Sequence, residues 1–168
     1  MARARATGTN KGGGDLREAL VREHDTLQSL FADVVDAFDT GNGTWAASCF
    51  SELERQLSAH MQMEEEHVFP GLSRVDPVET RALLGEHAAI RSQLASLALG
   101  VDLHTTRAAE IGELVAMLRA HAGREDVLAY RWAETHLAAG ARASLLARVE
   151  ERMATLAEHA RSRRSKNG

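Results

Sequence analysis

The chain has 168 residues and a formal net charge of −4, which suits a single domain and gives no reason to expect a nucleic-acid-binding surface. Aromatic residues make up only 4% and there are two prolines, so a helical fold is favoured over a β-sandwich or barrel. Cys49 is the only cysteine, which excludes an internal disulfide and favours a reducing, cytoplasmic location. No apolar stretch approaches the roughly 20 residues of a membrane helix, and the first residues lack the apolar region of a secretory signal.

Apolar residues recur at intervals of three and four along the first half of the chain, which predicts amphipathic helices. Residues 1–14 are polar and glycine-rich and are interpreted as a flexible arm. The first helix begins near Leu16 and stops at the sequence TGNGT. The second helix follows this turn and ends at Pro70 and Gly71.

The second half of the chain continues the same pattern. Asp76 is predicted to cap the third helix, with Pro77 at its first position, and the helix stops near Gly100. The fourth helix contains the apolar series from 111 to 132, and a shorter fifth helix follows Gly140. Residues 161–168 are interpreted as a basic, frayed tail.

Short connections between long amphipathic helices imply that neighbours in sequence run antiparallel. We therefore predict an all-α fold, an antiparallel up-down four-helix bundle with an additional carboxy-terminal helix, within residues 15–160. In each of the four long helices the apolar stripe is interrupted at an inward position by a residue that can bind a metal. These residues are His24, His60, Glu64, His87, His121 and Glu125.

The interrupted positions are expected to meet inside the bundle. In α-helices, residues four apart share a face, so His60 with Glu64, and His121 with Glu125, each offer an imidazole and a carboxylate to one point. Counted from the helix ends, the histidines also lie at similar depths. Burying two carboxylates without a countercharge would cost several kcal/mol each, and no lysine or arginine occupies these stripes. A pair of divalent metal ions would supply the charge.

Neighbouring polar residues are weighed as alternatives. Glu65 and Glu66 point away from the inward stripe and are predicted to be solvated. His67 returns to the stripe about 10 Å beyond His60, which is too far to share a metal with it, so it is interpreted as a residue at the end of the core. Asp126 is the alternative ligand to Glu125 if the helix is locally overwound.

The sequence resembles the hemerythrin-like, HHE cation-binding family. The matching stretches are REHDTLQSLF, HMQMEEEHVFP, EHAAIRSQL and HAGREDVLAY, which together span roughly residues 15–136. The resemblance implies an up-down four-helix bundle around two non-heme iron ions, bridged by an oxo group and two carboxylates. The six residues named above match the ligand positions of this motif.

One position departs from the oxygen-carrying members of the family. They have a fifth histidine one turn after the third-helix histidine, and here that position is Arg91. By this resemblance two coordination positions stay open instead of one, which argues against reversible oxygen carriage. Arg91 is expected either to attract anions to the open position or to lie on the flank of its helix with its head in water.

Three functions are compatible with this sequence. The first is a di-iron protein that binds or reacts with oxygen, peroxide or small anions, with weak catalase- or peroxidase-type activity as one form of that chemistry. The second is a non-catalytic iron or oxygen sensor with a protein partner that the sequence does not name. The third is a helical interaction module without metal. Zinc and manganese also suit the ligand set, since affinity alone does not select iron.

Overall fold

A computed structural model describes residues 15–102 and 108–166, and every regular element in these two parts is an α-helix. The predicted all-α fold class is confirmed, whereas the predicted arm, residues 1–14, lies outside the described residues. In chain order the helices are α1 (Leu16–Asp39), α2 (Gly43–His67), α3 (Phe69–Leu72), α4 (Pro77–Asp102), α5 (Ala108–Val127), α6 (Ala129–His136) and α7 (Ala139–Lys166).

Polar side chains cap the helices where the sequence predicts their starts. Asp15 caps α1 and Asn42 caps α2, each accepting hydrogen bonds from amides of the first turn. At α4, Asp76 Oδ1 accepts a hydrogen bond of 2.9 Å from the amide of Glu79, and Pro77 is the first helical residue. The predicted start of the third long helix is therefore confirmed.

The four long helices predicted before the carboxy-terminal one form a ring, and in the structure they are α1, α2, α4 and α5. Helix α1 packs against α2 and α5, and α4 also packs against α2 and α5. Helix α7 lies against α1, outside this ring, and the short helices α3 and α6 contact each other. The ring places one face of each long helix toward a common interior, which is where the interrupted stripes require the polar residues to be.

The interior consists of two apolar clusters. One cluster contains residues such as Leu27, Phe50, Ile90 and Leu114, and the other contains residues such as Leu20, Phe69, Leu83 and Tyr130. Buried polar residues occur between the two clusters along each long helix: Glu23, His24, His60, Glu64, His87, His121 and Glu125. Helices α1 and α4 pass from the second cluster to the first, whereas α2 passes from the first to the second. Helix α5 contributes to the first cluster only, and α6, which follows it, contributes to the second.

Two predicted helices are interrupted. The second was predicted to end at Pro70, but α2 ends at His67 and the short α3 follows, with Pro70 in its first turn. The fourth was predicted as one helix up to Trp132, but it is divided into α5 and α6 at Leu128. Both interruptions come shortly after an inward glutamate, and the two short helices that result pack together over one end of the interior.

The carboxy-terminal helix is longer than predicted. Helix α7 runs to Lys166, so its helical backbone continues beyond the predicted start of the basic tail at Arg161. It contributes Leu145 and Val149 to one apolar cluster and Leu156 to the other. The boundary between bundle and tail stays a prediction. Within residues 15–102 and 108–166, no helix combines the length and the apolarity that crossing a bilayer requires.

Replacing Gly71 with alanine is expected to destabilise the contact between α3 and α6. A Cβ at this position would overlap Cη2 of Trp132, so the indole ring, which stacks on His136, would have to move. Overpacking of this kind costs about 1–3 kcal/mol of unfolding free energy. Gly112→Ala is the matched control because its Cβ would meet nothing within 4 Å. Urea unfolding should show a loss for the first variant only, and equal stabilities would contradict the packing described.

Candidate metal centre

The structure brings all six predicted site residues together in the interior. They form two groups of four, and within each group one donor atom from every residue lies within 4.8 Å of the others. The four histidines come from four different helices, and all six side chains are buried. The first group is His24, His60, Glu64 and Glu125, and the second is Glu64, His87, His121 and Glu125. Both carboxylates therefore belong to both groups.

The imidazoles face each other in two pairs. His24 Nε2 lies 3.1 Å from His60 Nε2, and His87 Nε2 lies 3.0 Å from His121 Nε2. Ligands about 2.1 Å from one ion would be about 3.0 Å apart at right angles and about 4.2 Å apart on opposite sides. Each pair therefore has the spacing of two adjacent ligands of a single ion.

The two shared carboxylates lie between the histidine pairs. Glu125 Oε2 is 3.5 Å from His24 Nε2, whereas its Oε1 is 3.2 Å from His121 Nε2 and 3.5 Å from His87 Nε2. Glu64 Oε2 lies 3.5 Å from His60 Nε2 and 3.4 Å from His87 Nε2. Each carboxylate thus reaches both pairs, which is the position of a ligand that bridges two ions.

Three of these carboxylate oxygens lack a hydrogen bond. Glu64 Oε2 and both oxygens of Glu125 are buried and have no hydrogen-bond partner within the described part of the chain. A buried carboxylate in this condition costs several kcal/mol unless a positive charge is close by. Two cations between the histidine pairs would supply that charge to both carboxylates. The donor set, two imidazoles and two carboxylates for each ion, suits iron, zinc or manganese.

Four further carboxylates support the histidines, with one acidic residue behind each Nδ1 atom. The distances are 3.3 Å for Glu23 with His60, 2.8 Å for Glu65 with His87, 2.7 Å for Glu86 with His121, and 2.9 Å for Asp126 with His24. In every case the carboxylate and the histidine belong to neighbouring helices of the ring. An Nδ1–H that donates to a carboxylate directs the free Nε2 lone pair toward a metal and fixes the ring.

Arginines stand behind three of these carboxylates. Arg152 Nε donates to Glu23 at 2.7 Å, and Arg124 donates to Glu86. Arg91 Nη1 donates to Glu65 Oε1 at 2.8 Å, and 41% of its side chain is exposed. Arg91 therefore contacts the carboxylate behind His87. Of the two expected positions, Arg91 therefore takes the one on the flank of its helix, but its guanidinium pairs with Glu65 and is only partly in water.

Without metal ions, the buried carboxylates of the centre are balanced by protons on the histidines. Burial alone would lower the pKa of His24, but the hydrogen bond to Asp126 and the nearby carboxylates of Glu125 and Glu64 raise it to about 10. Burial likewise disfavours charged His87, while Glu125 and Glu64 raise its pKa to about 10. Burial would raise the pKa of Glu125, but the adjacent histidines hold it well below its ordinary value. Protonated histidines thus balance the charge of the buried carboxylates, which bound metal ions would otherwise balance.

Tyr130 contributes a hydroxyl group that the sequence analysis did not single out. Its Oη donates to Glu64 Oε1 and lies 3.0 Å from His24 Nε2. Burial and the charges of Glu64 and Glu125 raise the pKa of Tyr130 well above its ordinary value, so the hydroxyl keeps its proton. Tyr130 can therefore donate to the one oxygen of Glu64 that does not face the histidines.

Replacing Tyr130 with phenylalanine is expected to destabilise the protein and loosen Glu64. The variant would leave Glu64 Oε1 without its donor, and a buried acceptor left unsatisfied costs about 1–3 kcal/mol. Thermal unfolding of metal-free wild type and variant measures this effect. A variant with unchanged stability would show that the hydroxyl contributes nothing to Glu64.

A small apolar cavity adjoins the centre. Its volume is about 20 Å³, and it reaches His24, His60 and His121. The remaining wall is mostly apolar, including Leu27, Phe31, Leu57, Met61, Ile90 and Leu118, while Gln28 and Arg119 stand at its exposed edge. A cavity needs roughly 10–15 Å³ to hold one water molecule, so a molecule of two or a few atoms fits here.

Three other polar residues lie near the predicted site but outside the two groups. His67 belongs to neither group and is partly exposed, with Nε2 3.8 Å from Glu66 Oε2. Asp126 lies behind His24 and does not replace Glu125 in either group. Glu65 was predicted to be solvated, which is wrong, because it bonds to His87 and Arg91 and is only 28% exposed. Its side chain leaves the inward stripe but reaches the neighbouring helix.

The four supporting carboxylates share a sequence signal that was missed. Each is directly next to an inward residue, in the dipeptides EH at 23–24 and 86–87, EE at 64–65 and ED at 125–126. A residue one position along a helix is rotated by about 100°, which aims it at the adjacent helix instead of the interior. Acidic residues beside inward histidines or glutamates are therefore candidates for carboxylates that bind a histidine Nδ1 on the neighbouring helix.

Comparison with known proteins gives one match. The model of the hemerythrin HHE cation binding domain matches residues 15–133, well over half of the chain. The comparison with curated proteins and the comparison with solved structures found no match. The match includes all six residues of the two groups and ends before α7. The chain therefore belongs to the hemerythrin HHE cation-binding domain family.

Proposed function

We propose that the chain binds two non-heme iron ions in its interior and reacts there with oxygen or peroxide. The observation that carries the proposal is the arrangement of two histidine pairs around two shared carboxylates, Glu64 and Glu125. His24 and His60 would hold one ion. His87 and His121 would hold the other. When bound, iron supplies redox chemistry that none of these side chains has.

The surrounding residues support a small substrate. The cavity beside His24, His60 and His121 holds about one water-sized molecule and has mostly apolar walls, so bulky or highly charged molecules fit poorly. Tyr130 keeps its proton and holds Glu64 in place, while the supporting carboxylates keep the Nδ1 protons of the histidines. Oxygen, hydrogen peroxide and small anions such as azide are the ligands that match this space.

Arg91 favours reaction over reversible carriage. It stands where the oxygen carriers of the family have another histidine, and a guanidinium does not coordinate iron. Because Arg91 is paired with Glu65, its charge supports the ring of His87. An additional coordination position is then left to solvent or substrate, which suits peroxide turnover.

A second candidate function is a non-catalytic iron or oxygen sensor. The observation that favours it is the contact of α7, which lies beyond the family match, with a carboxylate next to the site: Arg152 donates to Glu23. Binding or oxidation of the ions could then shift α7, which lies outside the ring, where a partner protein could contact it. The two candidates differ in turnover, since a sensor does not consume peroxide.

We also infer that the ring of long helices is an antiparallel up-down four-helix bundle with α7 added outside it. The supporting observation is the alternating order in which α1, α2, α4 and the pair α5–α6 pass through the two apolar clusters. Helices that pass through the same two clusters in opposite orders run in opposite directions.

Oxygen release from hydrogen peroxide tests the proposed reaction. Two molecules of peroxide yield two of water and one of oxygen, so no other reductant is needed. Iron-loaded protein should release oxygen above the rate of free iron, and the Glu125→Gln variant should not exceed that rate. Iron binding without any release would favour the sensor. A protein that binds no iron would refute both candidates.

A further inference from the structure

Glu23 differs from the other carboxylates that support the histidines. It is completely buried, whereas the side chains of Glu65, Glu86 and Asp126 are each about 30% exposed. A buried carboxylate needs a partner inside the protein because water does not reach it. The partner of Glu23 is Arg152, whose Nε donates to Oε1 at 2.7 Å.

The other oxygen of Glu23 faces a metal-ligand candidate. Oε2 lies 3.3 Å from His60 Nδ1, and within the described residues neither atom has a hydrogen-bond partner by strict geometry. A small rotation of either side chain would make the bond that the other three histidines already have. Arg152 binds Oε1 of the same carboxylate while Oε2 faces His60, so Arg152 and His60 lie on the two sides of Glu23.

Arg152 comes from the part of the chain that the family match does not include. It lies on α7, while the match ends at 133. Its Nη2 also donates to the main-chain oxygen of Gln56 on α2 at 3.3 Å, so its guanidinium spans α1 and α2. Apolar residues on the same helix, including Val149 and Leu156, are buried in the core and fix its position.

We propose that Arg152 is a positioning residue of the metal centre, which orients Glu23 behind His60 and so couples the docking of α7 to the ion held by His24 and His60. The proposal rests on the proposed binding of two ions. Through Arg152, helix α7 becomes part of the site's support. The ion held by His87 and His121 does not depend on it, because their carboxylates are backed by Arg91 and Arg124.

Release of iron to a chelator tests this asymmetry. Full-length protein loaded with iron is mixed with excess chelator, and the release of each ion is followed over time. Replacing a residue that hydrogen-bonds to a metal ligand typically costs about 10- to 100-fold in metal affinity. In Arg152→Met, one of the two ions should leave faster by about this factor, while the other leaves at the wild-type rate. Arg152→Lys, which retains the charge, should recover part of the difference.

Arg142→Met is the matched control. Arg142 lies on the same helix and donates to the main-chain oxygen of Glu134 at 2.6 Å, but it contacts no carboxylate of the centre. This variant should release both ions as wild type does. A general loosening of α7 would instead accelerate both ions in Arg152→Met, and that result would overturn the proposal.

Glu23→Gln tests the route from Arg152 to His60. If Arg152 acts through Glu23, the glutamine variant alone should accelerate release of the same single ion, and adding Arg152→Met should change the rate little further. Independent, multiplying effects would overturn the proposal, as would wild-type release from both single variants. Glu23→Gln keeps the side-chain shape, so it also serves if Arg152→Met does not fold. Wild-type protein that binds fewer than two ions would refute the proposed function instead.

Discussion

The Glu125→Gln variant is expected to lose both metal ions. One oxygen of Glu125 faces His24 and the other faces His87 and His121, so the charge of this carboxylate serves both sites. An amide of the same shape is neutral and presents N–H donors to the metal. Since loss of a residue that only supports a ligand already costs about 10- to 100-fold in affinity, loss of a shared ligand should weaken metal binding by at least about 100-fold. Elemental analysis after dialysis against buffer measures the effect.

The matched control is Glu66→Gln. Glu66 lies on α2, two residues after Glu64, with 53% of its side chain exposed, and it accepts a hydrogen bond from Gln62. Its replacement should leave the metal content unchanged. If Glu125→Gln retained as much metal as Glu66→Gln, Glu125 would not be a ligand, and the assignment of two adjacent ions would be wrong.

Removing the metal is expected to lower the melting temperature strongly near neutral pH. A ligand that binds only the folded state adds about 2.7 kcal/mol when its concentration is 100 times Kd, and two ions would add about twice that. For a domain of this size each kcal/mol shifts the melting temperature by about 2–4 °C, so a fall of roughly 10–20 °C is expected. Scanning calorimetry of loaded and chelator-treated protein provides the comparison.

The metal-free protein should also lose stability as the pH rises. In its folded state the pKa of His24 and that of His87 are raised to about 10, compared with an ordinary value of 6.5. Groups with raised pKa values stabilise the fold fully below about pH 6.5, and this contribution is lost as the pH rises toward about 10. Urea unfolding of chelator-treated protein at several pH values should therefore show a decline across this range.

His121→Gln provides the control for the origin of this pH dependence. It removes one titrating group of the centre while the charges of His24 and His87 remain, so the decline with pH should become shallower but persist. A metal-free wild type whose unfolding free energy stays constant from pH 6.5 to 10 would contradict the protonated centre described above.

The prediction for metal removal has its own contrary outcome. Equal melting temperatures with and without metal would contradict the burial of two carboxylates that depend on the ions for their countercharge.

The inward residues could be predicted because helical spacing alone determines them. Glu64 follows His60 by one turn, and Glu125 follows His121 in the same way, so each pair shares a face whatever the neighbouring helices do. The divisions at Val68 and Leu128 were missed. Near Val68, Pro70 indicates that a helix stops but not that another short one begins, and nothing in the sequence around Leu128 breaks the apolar period.

The supporting residues required knowledge of how the helices are rotated against each other. Glu65 lies off the inward stripe of α2, and only the position of α4 beside it turns a surface glutamate into a partner of His87. The same holds for Arg152, which is 129 residues from Glu23 in sequence. A single sequence gives the period of each helix but not these distances between helices, so the carboxylates behind the histidines, and Arg152, emerge only from the fold.

X-ray absorption at the iron edge of the loaded protein tests the two-ion centre most directly. Nitrogen and oxygen ligands are expected at about 2.1 Å. Because Glu64 and Glu125 reach both histidine pairs, each iron should also show a second iron within about 4 Å, as in other two-metal sites. A spectrum with the nitrogen and oxygen ligands alone, from protein saturated with iron, would contradict a centre in which two carboxylates are shared.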